Sequence, residues 1–293
     1  MTFARKPAAF WPKNPSSVYS SSSPAAPSYM PEQLSNHFSL ADMQMWQWAL
    51  AVAAAFCVGL SKGGLAGVGM AVVVLMAQVM DAKASTGAVL PLLIMGDVFA
   101  VRAYGEHAHW GHIRNLLLPS MLGVCLGCWL MSHMSKAIFS PLLGALVLSL
   151  VIFQLWRNAQ GKWLDEFFQK KRFAYIMGWL GGVTTMLANA AGPVMSLFML
   201  AVRLPKMELI GTMAWFFCIL NIFKVPFSAG MGLIHTGSLS LGLVLAPVVV
   251  AGVYAGKWIV VRIPQRIFDP LLLIFTAIAA VHLIWSSLPK TGV

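Results

Sequence analysis

Acidic residues are scarce in this chain: nine aspartates and glutamates stand against 20 lysines and arginines, and charged residues make up only 10% of 293 positions. A soluble domain carries roughly a quarter charged residues, so that class is excluded. Cysteine is also scarce. Cys57, Cys125, Cys128 and Cys218 all sit in apolar stretches, which argues against a secreted disulfide framework. Catalytic punctuation is missing as well: no HExxH, GxSxG, Walker A or dinucleotide glycine pattern stands in a suitable context, so neither an enzyme nor a cofactor is expected. Arg5, Lys6 and Lys13 precede no apolar core, so no cleavable signal is expected. The net charge of +11 raises nucleic acid as a partner, yet the cations fall in short loops between apolar runs, where positive-inside bias explains them without one.

What the chain does have is apolar length. Hydrophobic residues make up 59% of it, with 18 Met, 11 Trp and a mean hydropathy of +0.77. A membrane-spanning helix needs about 20 such residues. The runs between Met43 and Leu288 supply about eight if short broken pieces are counted, predicting an all-α, polytopic membrane bundle. Residues 1–40 are rich in Ser, Pro and Ala and lack periodicity; they are expected to be a disordered tail. Residues 41–156 form a first transmembrane repeat, 157–173 a charged cytoplasmic linker and 174–288 a second repeat.

The duplication is read directly. Gly123, Gly127 and Trp129 recur 129 residues later as Gly252, Gly256 and Trp258, and the Ile138 to Leu143 segment recurs as Ile267 to Leu272. Upstream the spacing shortens to 123 or 124, pairing Lys83 with Lys206, Gly87 with Gly211 and Asp97 with Asn221. Two homologous halves follow. Lysine and arginine counts place 157–173 and the region of Lys257, Arg262 and Arg266 in the cytoplasm and 228–237 outside. Equivalent segments then run in opposite directions, an inverted repeat in which each opening unit enters and leaves on one side.

Each half opens on a break. In the first, Gly59-Leu-Ser-Lys-Gly-Gly-Leu-Ala-Gly-Val-Gly69 interrupts an apolar run, with Gly59, Gly63 and Gly67 on one helical face where another backbone fits closely. In the second, the copy runs from Gly182 to Gly192. Lys62 is either a loop lysine snorkelling to headgroups or a cation facing a cavity; a charge inside a hydrophobic segment costs roughly 2.5–3.5 kcal/mol on insertion scales, which makes function the default. Paired breaks expose half-helix N-termini near the midplane, where an anion can bind. The two breaks are thus expected to wall one site. Candidate substrate-binding residues are Lys62, Gly63, Gly64, Gly67, Asn189, Gly192, Asn221 and Lys224, with Thr184 and Thr185 as neutral donors. Asp97 either carries a coupling proton or neutralises Arg102 or Lys224. His107, His109 and His112 fit a headgroup boundary or a metal site, and Cys125 and Cys128 fit packing or a redox pair.

The Gly59 to Gly69 stretch, the Pro91 segment, Gly211-Thr-Met-Ala-Trp-Phe-Phe217, Asn221, Lys224 and Gly232-Leu-Ile together resemble the sulfite exporter TauE/SafE family of bacterial multi-pass membrane proteins. The resemblance covers nearly everything after the tail. It implies transport of a small sulfur-containing anion, sulfite or an organosulfonate, across the bilayer of the cytoplasmic (inner) membrane, with export favoured. The second break carries less glycine than that pattern leads one to expect. Two rival readings stand beside it: a membrane-embedded redox or metal-binding protein, and a cation transporter using Asp97 and Asp81. The excess of intramembrane lysine over carboxylate favours an anion. Homo-oligomer formation is left open.

Overall fold

Apolar chain in lipid must satisfy every backbone N–H and C=O internally, and a helix does so within one segment. The structure, a computed structural model, describes residues 43–65, 68–80, 82–133, 171–189, 191–234 and 236–264, with isolated positions at 148, 152 and between 266 and 285. The regular structure among them is helical: α1 (Met45–Lys62), α2 (Gly69–Val79), α3 (Ala82–Tyr104), a 3-10 turn (Gly105–His107), α4 (Trp110–His133), α5 (Lys171–Ala188), α6 (Ala191–Ala201), α7 (Lys206–Gly230) and α8 (Thr236–Arg262). Five stretches among the described residues are long and apolar enough to cross a membrane: Met45–Lys62, Ser85–His107, Trp110–His133, Lys206–Gly230 and Thr236–Arg262. This is a multi-pass helical membrane protein. The tail, most of the linker, the segments around 138–147 and 153–156, Gly67 and Asp81 lie outside the described residues.

The element pattern repeats. A helix of 18 residues, a break and a helix of 11 residues open both sets, as α1–α2 and α5–α6. Two long helices follow each time, 23 and 24 residues in α3 and α4, 25 and 27 in α7 and α8.

Glycine contacts fix the helix directions. Gly59 abuts Val249 and Gly252, and Gly63 abuts Val253 and Gly256, so α1 and α8 run parallel with their backbones touching. Gly242 on Pro91, Gly96 on Val249, Phe99 against Tyr254 and the Lys257 ammonium donating to Ala103 O make α3 parallel to α8 too. On the other side, Gly178 meets Leu116, Gly123 meets Gly182 and Gly127 meets Met186, so α4 and α5 are parallel. Trp110 packs on Trp215 and Cys128 reaches Met231, which adds α7 to that set.

Between the sets the direction reverses. Gly87 near the start of α3 abuts Leu233 after α7, and Gly211 near the start of α7 abuts Tyr104 and Ala108 at the end of α3. The contact is reciprocal. Halfway along, Asp97 touches Asn221, the residue paired with it in the sequence register. At the end where α3 and α8 finish and α4, α5 and α7 begin stand Arg102, Arg114, Lys171, Arg172, Arg203, Lys206 and Arg262. The turn Met231–Ile234 at the opposite end has no lysine or arginine.

Candidate functional site

The first break begins where Lys62 ends α1. Gly64 turns the chain with φ +115, a conformation side chains resist, and α2 restarts at Gly69. The Lys62 Nζ lies 2.6 Å from Asp97 Oδ1, with the lysine side chain 11% exposed and the aspartate 0%. Asn221 Nδ2 donates to Asp97 Oδ2 at 2.7 Å. The same ammonium stands 4.5 Å from the centroid of the Phe217 ring, within cation–π range. Asp97 therefore pairs with Lys62, and neither Arg102 nor Lys224 is its partner. Arg102, five residues on, points from a different and exposed face of α3. Sequence spacing along one helix holds no record of a partner brought in from another.

Lys224 is 2% exposed and belongs to the second break. It donates to Thr185 O at 2.9 Å, Thr185 Oγ1 at 3.2 Å and Asn189 Oδ1 at 2.7 Å, three neutral oxygens. Asn189 has φ 51 and donates through Nδ2 to Thr86 O at 3.2 Å. Asparagine tolerates that left-handed geometry, so it turns the second break without the extra glycine expected there. Thr184 bonds Gly181 O in its own helix and is taken up locally.

A recess of ≈ 870 Å³, counting the part open to solvent, lies between the breaks. Ser61, Lys62, Gly64 and Gly69 line it from the first, Thr185, Asn189 and Gly192 from the second, and Phe217 and Asn221 from α7. The rest of the lining is apolar, including Val72, Leu93, Ile210 and Met213. The first residues of α2 and α6 both contribute, and a helix N-terminus carries the positive end of the helix dipole. Of the expected site residues, Lys62, Gly64, Asn189, Gly192 and Asn221 line the recess. Asp97 is buried against Lys62 and Asn221, and Lys224 against the second break. Gly63 is turned onto α8, where a Cβ would sit 2.8 Å from Gly256 Cα, and its carbonyl accepts from Tyr104 Oη at 2.7 Å. It is a packing residue. Gly67 lies outside the described residues. Ser61 and Phe217 were not singled out; Phe217 precedes Asn221 by four positions, the spacing that shares a helix face.

Other cations have structural work. Lys206 donates to Val260 O and Ile263 O at the end of α8, and Lys257 to Ala103 O at the end of α3, each placing positive charge at a helix C-terminus. His109 and His112 stack with ring centroids 4.5 Å apart, and His107 lies 3.5 Å from Glu106. No group of three or more His, Cys, Asp or Glu that would hold a metal exists among the described residues. Cys125 is exposed on α4, and Cys128 contacts the Met231 sulfur at 3.8 Å.

Residues 51–283 match the profile of the sulfite exporter TauE/SafE family. The chain belongs to the sulfite exporter TauE/SafE family. That profile spans both breaks, Asp97, Asn221 and Lys224, so the two halves and the recess between them are family territory. No curated protein and no solved structure matches the chain.

Proposed function

We propose that this TauE/SafE protein is a secondary transporter that exports a small sulfur-containing anion across the inner membrane of a bacterium. The observation that carries the reading is a charge count: among the described residues, two lysines stand against one carboxylate around the recess, with Lys62 on its wall and Lys224 bonded to neutral oxygens. Isolated intramembrane charge is costly, and cargo of the opposite sign offsets it. The choice of a sulfur anion and of export rests on the family's description. A cation transporter is less well supported, because Asp97 already has Lys62 as counter-ion.

The halves form an inverted repeat in this reading. Antiparallel α3 and α7, the reciprocal Gly87 and Gly211 contacts and the self-contact of Asp97 with Asn221 support a pseudo-twofold axis lying in the membrane plane. Parallel α1 and α3, with α2 between them, support a first unit that enters and returns on one side. The cation-rich end is cytoplasmic. Asp97 is the coupling group: an arriving anion competes for Lys62, and the displaced carboxylate is placed to exchange a proton.

Lys62→Ala and Lys224→Ala are each expected to abolish sulfite movement in proteoliposomes while the protein still inserts. Wild-type transport rates in both variants would overturn the proposal.

A further inference from the structure

Asn221 has an atom left over. Its Nδ2 is committed to Asp97, which is fully buried and held by Lys62. An ionised carboxylate only accepts hydrogen bonds, so the amide must turn its NH₂ toward Asp97 and its carbonyl away. Asn221 is 2% exposed and lines the recess, and among the described residues no protein donor reaches its Oδ1. Buried acceptors are almost always satisfied, and the exceptions call for an explanation. An acceptor is also the wrong group to turn toward a bare oxyanion, whose surface is acceptors throughout. It suits cargo that brings a donor of its own.

The charge count points the same way. Lys62 and Lys224 against Asp97 leave one formal positive charge, which balances a monoanion and not a dianion. Apolar lining beyond the polar groups, from Val72, Leu93 and Met213, leaves room for carbon.

We propose that Asn221 Oδ1 is a specificity determinant that selects a monoanion carrying an O–H close to its charged group, such as a short hydroxyl-bearing sulfonate. This rests on the anion-transport reading above. A cargo donor that reaches the carbonyl supplies the hydrogen bond the protein leaves unmade. A site built to bond a substrate hydroxyl discriminates strongly against the analogue that lacks it.

The test is a matched series of ethanesulfonate, 2-hydroxyethanesulfonate, 2-aminoethanesulfonate and sulfate, measured by titration calorimetry on the purified full chain and by uptake into proteoliposomes. The expected result is binding of 2-hydroxyethanesulfonate about tenfold or more tighter than ethanesulfonate, with sulfate weakest. 2-Aminoethanesulfonate, a zwitterion with no net charge, tests the charge count and is expected to bind less tightly than 2-hydroxyethanesulfonate. In Asn221→Leu the ratio between 2-hydroxyethanesulfonate and ethanesulfonate falls to near one. If that variant does not fold, the wild-type ratio carries the test by itself. Equal affinity for ethanesulfonate and 2-hydroxyethanesulfonate would overturn the role of Asn221 and leave anion transport standing. No binding by any of the four, together with no sulfite transport, would overturn both.

Discussion

Replacing Lys62 with methionine keeps a long stem and removes the ammonium. Asp97 is then left 0% exposed with Asn221 as its remaining donor. At the observed 2.6 Å and an effective dielectric near 20, the gross attraction lost is about 6 kcal/mol. Desolvation of the pair offsets part of that, and removing one partner of a buried pair typically costs roughly 3–5 kcal/mol. Asp97→Asn should cost less. Its orphaned lysine is 11% exposed, sits at the wall of the recess and keeps the Phe217 ring face at 4.5 Å. The double variant, Lys62→Met with Asp97→Asn, removes both charges and leaves an amide beside the Asn221 amide, so its stability should return to within about 1 kcal/mol of wild type. Titration with denaturing detergent, read by tryptophan fluorescence, measures all four proteins. Transport should be lost in the double variant even though stability is regained, which separates the fold from the function. The reasoning is refuted if Lys62→Met is as stable as wild type, or if the double variant is no more stable than Lys62→Met.

Two further outcomes are expected from packing and topology. Leucine at Gly59 or Gly252 would drive a side chain into the facing backbone, since a Cβ on Gly59 already falls 2.6 Å from Gly252 Cα; each variant should lose about 1–3 kcal/mol or more in the same detergent titration, whereas Gly230→Ala, with nothing within 4 Å, should stay within about 0.5 kcal/mol. In a background without the native cysteines, Glu106→Cys and Gly230→Cys should react with an impermeant thiol reagent from opposite faces of the membrane, Glu106→Cys from the cytoplasm; labelling of both from one face would refute the helix directions read from the glycine contacts.

The close helix contacts were legible in the sequence because glycine does a task no other residue can. Gly59, Gly63, Gly252 and Gly256 stand where backbones touch, so the i, i+4 spacing of small residues is a direct trace of close helix packing. The breaks were legible for a related reason: an apolar run interrupted by small residues has to turn somewhere. The partners inside the site were not. Lys62 with Asp97 and Lys224 with Thr185 and Asn189 join residues 35 or more positions apart on different helices, and no periodicity along the chain encodes them. Gly63 neighbours Lys62, yet one step along a helix rotates a residue by about 100°, enough to turn it from the recess onto α8.

The inverted-repeat reading proposed above also accounts for the asymmetry of the site. On that reading a residue that touches its own counterpart lies on the axis relating the halves, and Asp97 with Asn221 is that residue. Two aspartates there would bring like charges into contact in a buried place, which proteins tolerate only by keeping one of them neutral. Aspartate facing asparagine avoids the conflict, because the amide donates to the carboxylate. The lysines diverge in step. On the 123-residue register Lys62 corresponds to Thr185, and on the 124-residue register Lys224 corresponds to Ala100, so each half supplies a cation from a different helix. Lys224 then reaches Thr185, the residue standing where Lys62 stands in the other half. On the same reading Lys62 bonds the Asp97–Asn221 pair and Lys224 the second break, and neither lysine is the copy of the other. The substitutions that set the two halves apart then supply the surplus positive charge.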